Sequence, residues 1–310
     1  MKRRNLIRAA VGCISLALAL LASPALASVD EKKGEQAQIP QAGYVGSDTC
    51  TTCHEGFDKS LATTKHAFVK NPRTPMAAQG CESCHGPGEA HVNDQSIKPV
   101  QPGKIAAKEA TELCMGCHNR AEHSNFEGSA HDARGLTCVN CHSVHSPQSE
   151  KAQLVKSTQA ELCVQCHRDK VRKLDRSGHM PVREGKMECT TCHSPHGSQN
   201  VRMLRVGYSI NEACESCHTE KRGPTLYEHA PVRESCVTCH DPHGSTNDRM
   251  LVAKAPFLCQ RCHMQSRHPS TIYDGVQVTA ASNRIVGRAC INCHTQIHGS
   301  NHPSGAKLTR

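Results

Sequence analysis

Twenty of the 21 cysteines in this 310-residue chain fall in ten copies of one pattern, Cys-x-x-Cys-His. The copies are Cys50, Cys53 and His54; Cys81, Cys84 and His85; Cys114, Cys117 and His118; Cys138, Cys141 and His142; Cys163, Cys166 and His167; Cys189, Cys192 and His193; Cys214, Cys217 and His218; Cys236, Cys239 and His240; Cys259, Cys262 and His263; and Cys290, Cys293 and His294. Two thiols three residues apart on one helical turn can bond the two vinyl groups of a porphyrin. The His that follows then reaches the iron, so each copy carries the signature of covalent c-type haem attachment. Structural zinc also uses paired C-x-x-C units but has no need of a His after every second cysteine. A thioredoxin-like site needs one unit in a βαβ context, not ten, and disulfides leave the ten histidines unexplained. The expected cofactors are ten covalently attached haem c groups.

Twelve further histidines are candidates for the opposite axial position, and ten are needed for bis-His iron throughout. The chain repeats in units of two motifs. Odd-numbered motifs start at 50, 114, 163, 214 and 259, and CHSVHS, CHSPHGS and CHDPHGS tails follow the fourth, sixth and eighth motifs. Five dihaem repeats form a quasi-one-dimensional array. Each repeat has one His between its motifs, His66, His131, His179, His229 or His268, and one just after its second motif, His91, His145, His196, His243 or His298. His123 and His302 are left as surface residues. His131 is preferred to His123 because it stands seven residues before its following motif, as His229 does. In CHSPH the two histidines share one side of a turn, with Cβ atoms about 5–6 Å apart, whereas two axial ligands approach an iron from opposite faces. His196 therefore does not share an iron with His193. The late His of each repeat is expected to serve that repeat's first haem, and the middle His its second. Methionine is the competing ligand, but Met203 and Met250 recur beside Leu at corresponding positions and read as packing. With both axial positions filled, catalysis at iron is disfavoured and electron transfer is expected.

The elements that position these groups are short. Lys2, Arg3, Arg4 and Arg8 precede an apolar run ending at Ser23-Pro24-Ala25-Leu26-Ala27, so residues 1–27 read as a cleaved signal peptide and the protein as exported. In the remaining chain Leu, Ile, Val and Phe make up only 15%, below the level at which a chain normally folds alone. Ala107–His118 and Thr158–His167 have helical composition. Gly-Pro, Ser-Pro and Asp-Pro pairs cut the remainder into loops, and no strand pattern stands out. The expected fold is a multihaem cytochrome c, mostly irregular with short α-helices and little or no β-sheet, an elongated array. Residues 28–46 are expected as a polar arm, 47–298 as the decahaem domain and 299–310 as a tail, with 92–104 a linker. The formal charge of +9 falls to +5 without the signal, and haem propionates would make the holoprotein acidic. With four Phe, four Tyr and no Trp there is little to stack on bases, so no nucleic-acid partner is expected.

Ten motifs in an exported chain of this length, the repeated CHxPHGS tails and the ending CINCHTQIHGSNHPSG (290–305) resemble the periplasmic decahaem cytochromes of the MtrA, MtoA, PioA and DmsE family. The long N-terminal extension of the PioA type is absent. The resemblance implies a rod of closely spaced haems seated in an outer-membrane β-barrel porin of the MtrB or MtoB kind. It also implies a periplasmic location associated with the outer membrane through that porin. Electrons would pass between periplasmic or inner-membrane cytochromes and an extracellular multihaem cytochrome or mineral, during Fe(II) oxidation or metal or DMSO reduction. The alternatives are a soluble periplasmic shuttle or store and a multihaem oxyanion reductase. The reductase would need a five-coordinate haem, against which the spare histidines count.

Overall fold

A computed structural model describes residues 43–67, 72–263 and 289–309. The expected signal peptide, most of the polar arm and His268 lie outside these residues. Fourteen α-helices occur among the described residues, the longest being Ala107–Met115 with nine residues. Short 3-10 turns and loops make up the rest, with isolated β-bridges and no strand among the described residues. The fold is the mostly irregular, short-helix type expected for a multihaem cytochrome c.

Local sequence sets where each helix starts. Thr158 accepts the Glu161 backbone N–H at 3.1 Å while Glu161 accepts that of Thr158 at 3.3 Å, a reciprocal cap on Gln159–Cys163. Ser209 caps Ile210–Glu215 by accepting the Glu212 N–H, while the Glu212 carboxylate accepts the N–H of Tyr208 at 2.8 Å. The two expected helices are therefore present but shorter than drawn, since both break at the motif. Odd and even motifs also end differently. His142 and His193 are extended, with φ/ψ of −114/145 and −111/145, and form bridges to Leu154 and Leu204. His167 and His218 sit at −99/46 and −95/55 and lead into a further helical turn. The two-motif period is thus visible in the backbone.

Successive repeats dock through the tails that follow the even motifs. Ser245 exchanges backbone hydrogen bonds with Ser177 at 3.1 and 3.0 Å, and Ser300 does so with Tyr227 at 2.9 Å each way. Gly197, Gly244 and Gly299 adopt φ of 100, 118 and 116. A Cβ on Gly197 would strike the Asn125 carbonyl, on Gly244 the Lys173 carbonyl, and on Gly299 the Thr225 side chain. Glycine is required there twice over, for its dihedral and for close approach.

The segments expected as linker and tail are not loose. Val100 donates to the His85 carbonyl at 2.9 Å, and Leu308 is buried while its carbonyl accepts from Gln296 at 3.0 Å. Residues 43–46 at the end of the expected arm are likewise fixed, because Val45 and Gly46 donate to the buried Glu82 carboxylate. Among the described residues only Ala110, Phe126, Leu154, Leu204 and Leu308 form a buried apolar set, and no large side chain is fully buried.

Candidate metal centres

Each Cys-x-x-Cys-His is one helical turn. In all ten copies the His backbone N–H donates to the carbonyl of the first cysteine, at 2.8 to 3.1 Å. That closes the i to i−4 ring and sets both thiols and the imidazole around one point. None of the twenty motif cysteines is joined to another in a disulfide, which leaves every one of them for a thioether bond.

The motifs also neighbour one another in succession. First cysteines interact within a repeat, as Cys50 with Cys81, Cys114 with Cys138, Cys163 with Cys189, Cys214 with Cys236 and Cys259 with Cys290. Second cysteines interact between repeats, as Cys84 with Cys117, Cys141 with Cys166, Cys192 with Cys217 and Cys239 with Cys262. No step from the first motif to the tenth is missing.

Nine motif histidines face a second imidazole. The ring centroids are 6.2 Å apart for His54 and His91, 6.1 Å for His85 and His145, and 5.9 Å for His118 and His66. They are 6.0 Å apart for His142 and His196, 6.3 Å for His167 and His131, and 6.1 Å for His193 and His243. The spacing is 6.2 Å for His218 with His179, His240 with His298 and His263 with His229. A metal between two imidazole nitrogens at about 2 Å from each needs centroids about 6 Å apart, which all nine pairs meet. The expected partner of His294, His268, lies outside the described residues.

The pairing differs from the expectation of ligation within a repeat, which among the described residues holds only for His54 and His91. The middle His66, His131, His179 and His229 face the odd motif of the following repeat, and the late His145, His196, His243 and His298 face the even motif of the preceding one. The physical reason is the docking of tails onto the preceding repeat, which carries the late His across the junction. The inference that His196 cannot share a centre with His193 stands. His123, expected at the surface, is exposed, and its ring comes within 4.5 Å of that of His196 and 5.7 Å of that of His118. Its spacing from the next motif carried no signal for this. His302 is exposed, with Nδ1 accepting the Ser304 N–H at 3.1 Å.

Backbone carbonyls hold many of these rings through Nδ1. His85 meets Val100 O at 2.7 Å, His142 meets Ala152 O at 2.6 Å, His193 meets Arg202 O at 3.0 Å, His240 meets Arg249 O at 2.9 Å and His294 meets Lys307 O at 2.5 Å. Ala152, Arg202 and Arg249 present those oxygens from left-handed backbone, with φ of 58, 54 and 56. Such contacts fix the ring so that Nε2 points away from the carbonyl, ready for a metal. His91, His131 and His229 are held in the same way by Ile97, Pro195 and Ile297. Burial, reinforced by the neighbouring imidazoles His123 and His142, pushes His196 down to about 4, and burial also lowers His118, His145, His179 and His298. Their neutral, ligand-competent form is the favoured one. Burial raises the Asp241 carboxyl, but hydrogen bonds from Lys173 and the His243 N–H outweigh it and hold the group below its ordinary range.

A continuous cavity of about 3660 Å³ runs between residues 65 and 308, lined by motif cysteines and paired histidines. Paired thiols, an adjacent imidazole and a large apolar-walled void are what haem c requires, and a chain with so few buried apolar side chains needs such a group as its core. The fold and these centres define a multihaem c-type cytochrome, an electron-transfer protein with covalently bound haem c. Residues 179–223 and 229–268 match the family model described as doubled CXXCH motif, and residues 81–166 match that of cytochrome c-type protein NrfB-like. The chain is 41% identical over 92% of its length to the multiheme cytochrome MtrA of Shewanella baltica, covering 86% of that protein. It is 29% identical over 48% of its length to the cytochrome c-type protein NrfB of Escherichia coli, and 24% identical over 68% of its length to the C-type polyheme cytochrome OmcB of Geobacter sulfurreducens, of which it covers 33%. The chain belongs to the MtrA family of multihaem cytochromes.

Proposed function

We propose that this chain conducts electrons across the outer membrane while seated in a β-barrel porin, through ten haem c groups each held between two histidines. The proximal ligands are the ten motif histidines. The distal ones are His66, His91, His131, His145, His179, His196, His229, His243, His268 and His298. When bound, each haem supplies one reversible one-electron couple. The chain's own residues fix the spacing of these couples, hold both axial imidazoles and so leave no position at which a substrate could bind iron.

The observation that carries the proposal is the unbroken succession of neighbouring motifs from Cys50 to Cys290, hydrogen-bonded through their first cysteines within repeats and within electrostatic reach through their second cysteines between repeats. Consecutive sites are therefore neighbours along the whole array. The ligand exchange supports the full count of ten. Each junction trades one histidine in each direction, so the first site, with no upstream neighbour, takes His91 from its own repeat. By the same rule the last takes His268 from its own.

Membership of the MtrA family supports the porin partner. No helix among the described residues is long and apolar enough to cross a membrane. A conduit of short helices and loops through hydrocarbon needs a protein sheath around its backbone. On the periplasmic side the partners would be periplasmic or inner-membrane cytochromes, and on the outer side a multihaem cytochrome or mineral. The test is a native gel of outer membranes solubilised in mild detergent, stained for haem, with the haem band identified by mass spectrometry. A β-barrel porin in about equal amount is the expected result. Haem stain that leaves entirely with the periplasmic wash, with no barrel, would make the protein a soluble shuttle instead.

A further inference from the structure

The late histidines His145, His196 and His243 share a sequence frame but not their surroundings. His145 and His196 are buried at Nδ1 with no hydrogen-bond partner in the protein. Two positions earlier stand Ser143 and Ser194, and the Ser194 hydroxyl is itself without a partner. In the fourth repeat that position is Asp241. Its Oδ1 accepts the His243 backbone N–H at 3.1 Å and lies 3.5 Å from His243 Nδ1, while its Oδ2 accepts from Lys173 Nζ at 2.7 Å. Lys173 stands where Asn125 stands one repeat earlier, because Gly244 packs on the Lys173 carbonyl as Gly197 packs on that of Asn125. Lysine and aspartate thus replace asparagine and serine together at a single junction. Docking does not require them, since the preceding junction closes on the same glycine without them.

The opposite ring of this pair is held as well, with His193 Nδ1 3.0 Å from Arg202 O. The His193 and His243 pair therefore has an oxygen facing both outer ring nitrogens. The His142 and His196 pair has one, from Ala152, and the His85 and His145 pair has one, from Val100. An oxygen acceptor at Nδ1 makes Nε2 a stronger donor and favours ferric over ferrous iron, and a carboxylate does so more than a neutral carbonyl.

We propose that Asp241 is a positioning residue that lowers the reduction potential of the haem held between His193 and His243 below those at the His142/His196 and His85/His145 sites, and that Lys173 limits the effect. The proposal rests on these histidines being the two ligands of one iron. The couple is one electron added to ferric iron by the titrant, with no proton moved and no bond broken.

The test is a potentiometric titration of the full-length holoprotein followed by its low-spin ferric EPR signals. Asp241→Asn should make one haem in ten about tenfold easier to reduce, about 59 mV for a one-electron couple. Lys173→Gln keeps the carboxylate and removes its counter-charge, so the same component should become severalfold harder to reduce. If Asp241→Asn fails to take up haem, the sign of the Lys173→Gln shift decides alone. An unmoved component, or equal signs in the two variants, overturns the tuning role and leaves the pair a structural clamp. His243→Ala separates this from the ligand assignment. It should convert one haem to high spin, and if every haem stays low-spin it is the assignment of His243 as a ligand that falls.

Discussion

Glu82, 4% exposed, is the one charged side chain buried among the described residues, and it lies between the two cysteines of the second motif. Its carboxylate accepts three backbone N–H groups, from Val45 at 3.0 Å, Gly46 at 2.9 Å and Gly88 at 2.8 Å. Three charge-assisted bonds on one group explain why it is tolerated inside. Glu82→Ala would strand all three donors, and the loss is expected to be about 3 kcal/mol in the stability of the first repeat. Glu82→Gln keeps an acceptor for two of the three and should lose less. Thermal unfolding combined with protease cleavage between residues 43 and 67 measures this, and unchanged resistance in Glu82→Ala would show that the carboxylate holds nothing. Nothing in the sequence marked this residue, because the two positions between motif cysteines accept any side chain and its partners are backbone groups up to 37 residues away. The motif residues beside it were fully legible, since a single turn fixes their relation without help from the rest of the chain.

At the scale of elements, short-range order could be read in advance and ligand exchange between repeats could not. Thr158 and Glu161, and Ser209 and Glu212, carry their caps in adjacent sequence. The partner of His193 is 50 residues away, and that of His118 is 52 residues away in the opposite direction. Tails docking on the preceding repeat decide those partners, and docking depends on glycines whose neighbours are distant in sequence. The tail glycines were visible as a repeated HGS, but what they pack against was not. Gly197→Ala places a methyl group against the Asn125 carbonyl in a left-handed conformation, with an expected cost of about 3 kcal/mol. Two haems should suffer together, because Pro195 holds His131 opposite His167 while His196 faces His142. Gly128→Ala is the control, with a φ of 77 and nothing within 4 Å of the new Cβ. Its cost should be about 1 kcal/mol. Low-spin haem content and melting temperature of the two variants give the comparison, and equal losses would mean that backbone strain alone, not docking, is at stake.

At the scale of the whole molecule the chain lacks the means to fold by itself. Among the described residues only five apolar side chains are buried and no large one fully, so little apolar surface of the chain's own opposes the entropy of the unfolded backbone. Porphyrin in the cavity of about 3660 Å³ would supply the missing apolar volume, and on the proposed ligation the thioethers and iron–imidazole bonds would tie each repeat to the next. The chain made in the cytoplasm, without its signal and without haem attachment, should therefore show the far-UV circular dichroism of a coil and be digested at once by protease, while the holoprotein resists. Removing one central haem with Cys163→Ser and Cys166→Ser should do more than delete one station. His167 then has no iron to share with His131, so the second repeat loses the histidine it lends to the third, and the hydrogen bond of Cys163 with Cys189 goes with it. Protease should then cut between residues 142 and 189 and release two haem-bearing fragments. A haem-free chain that is compact and protease-resistant, or a nine-haem variant that stays intact, would mean that the polypeptide carries its own core and that the haems merely occupy it.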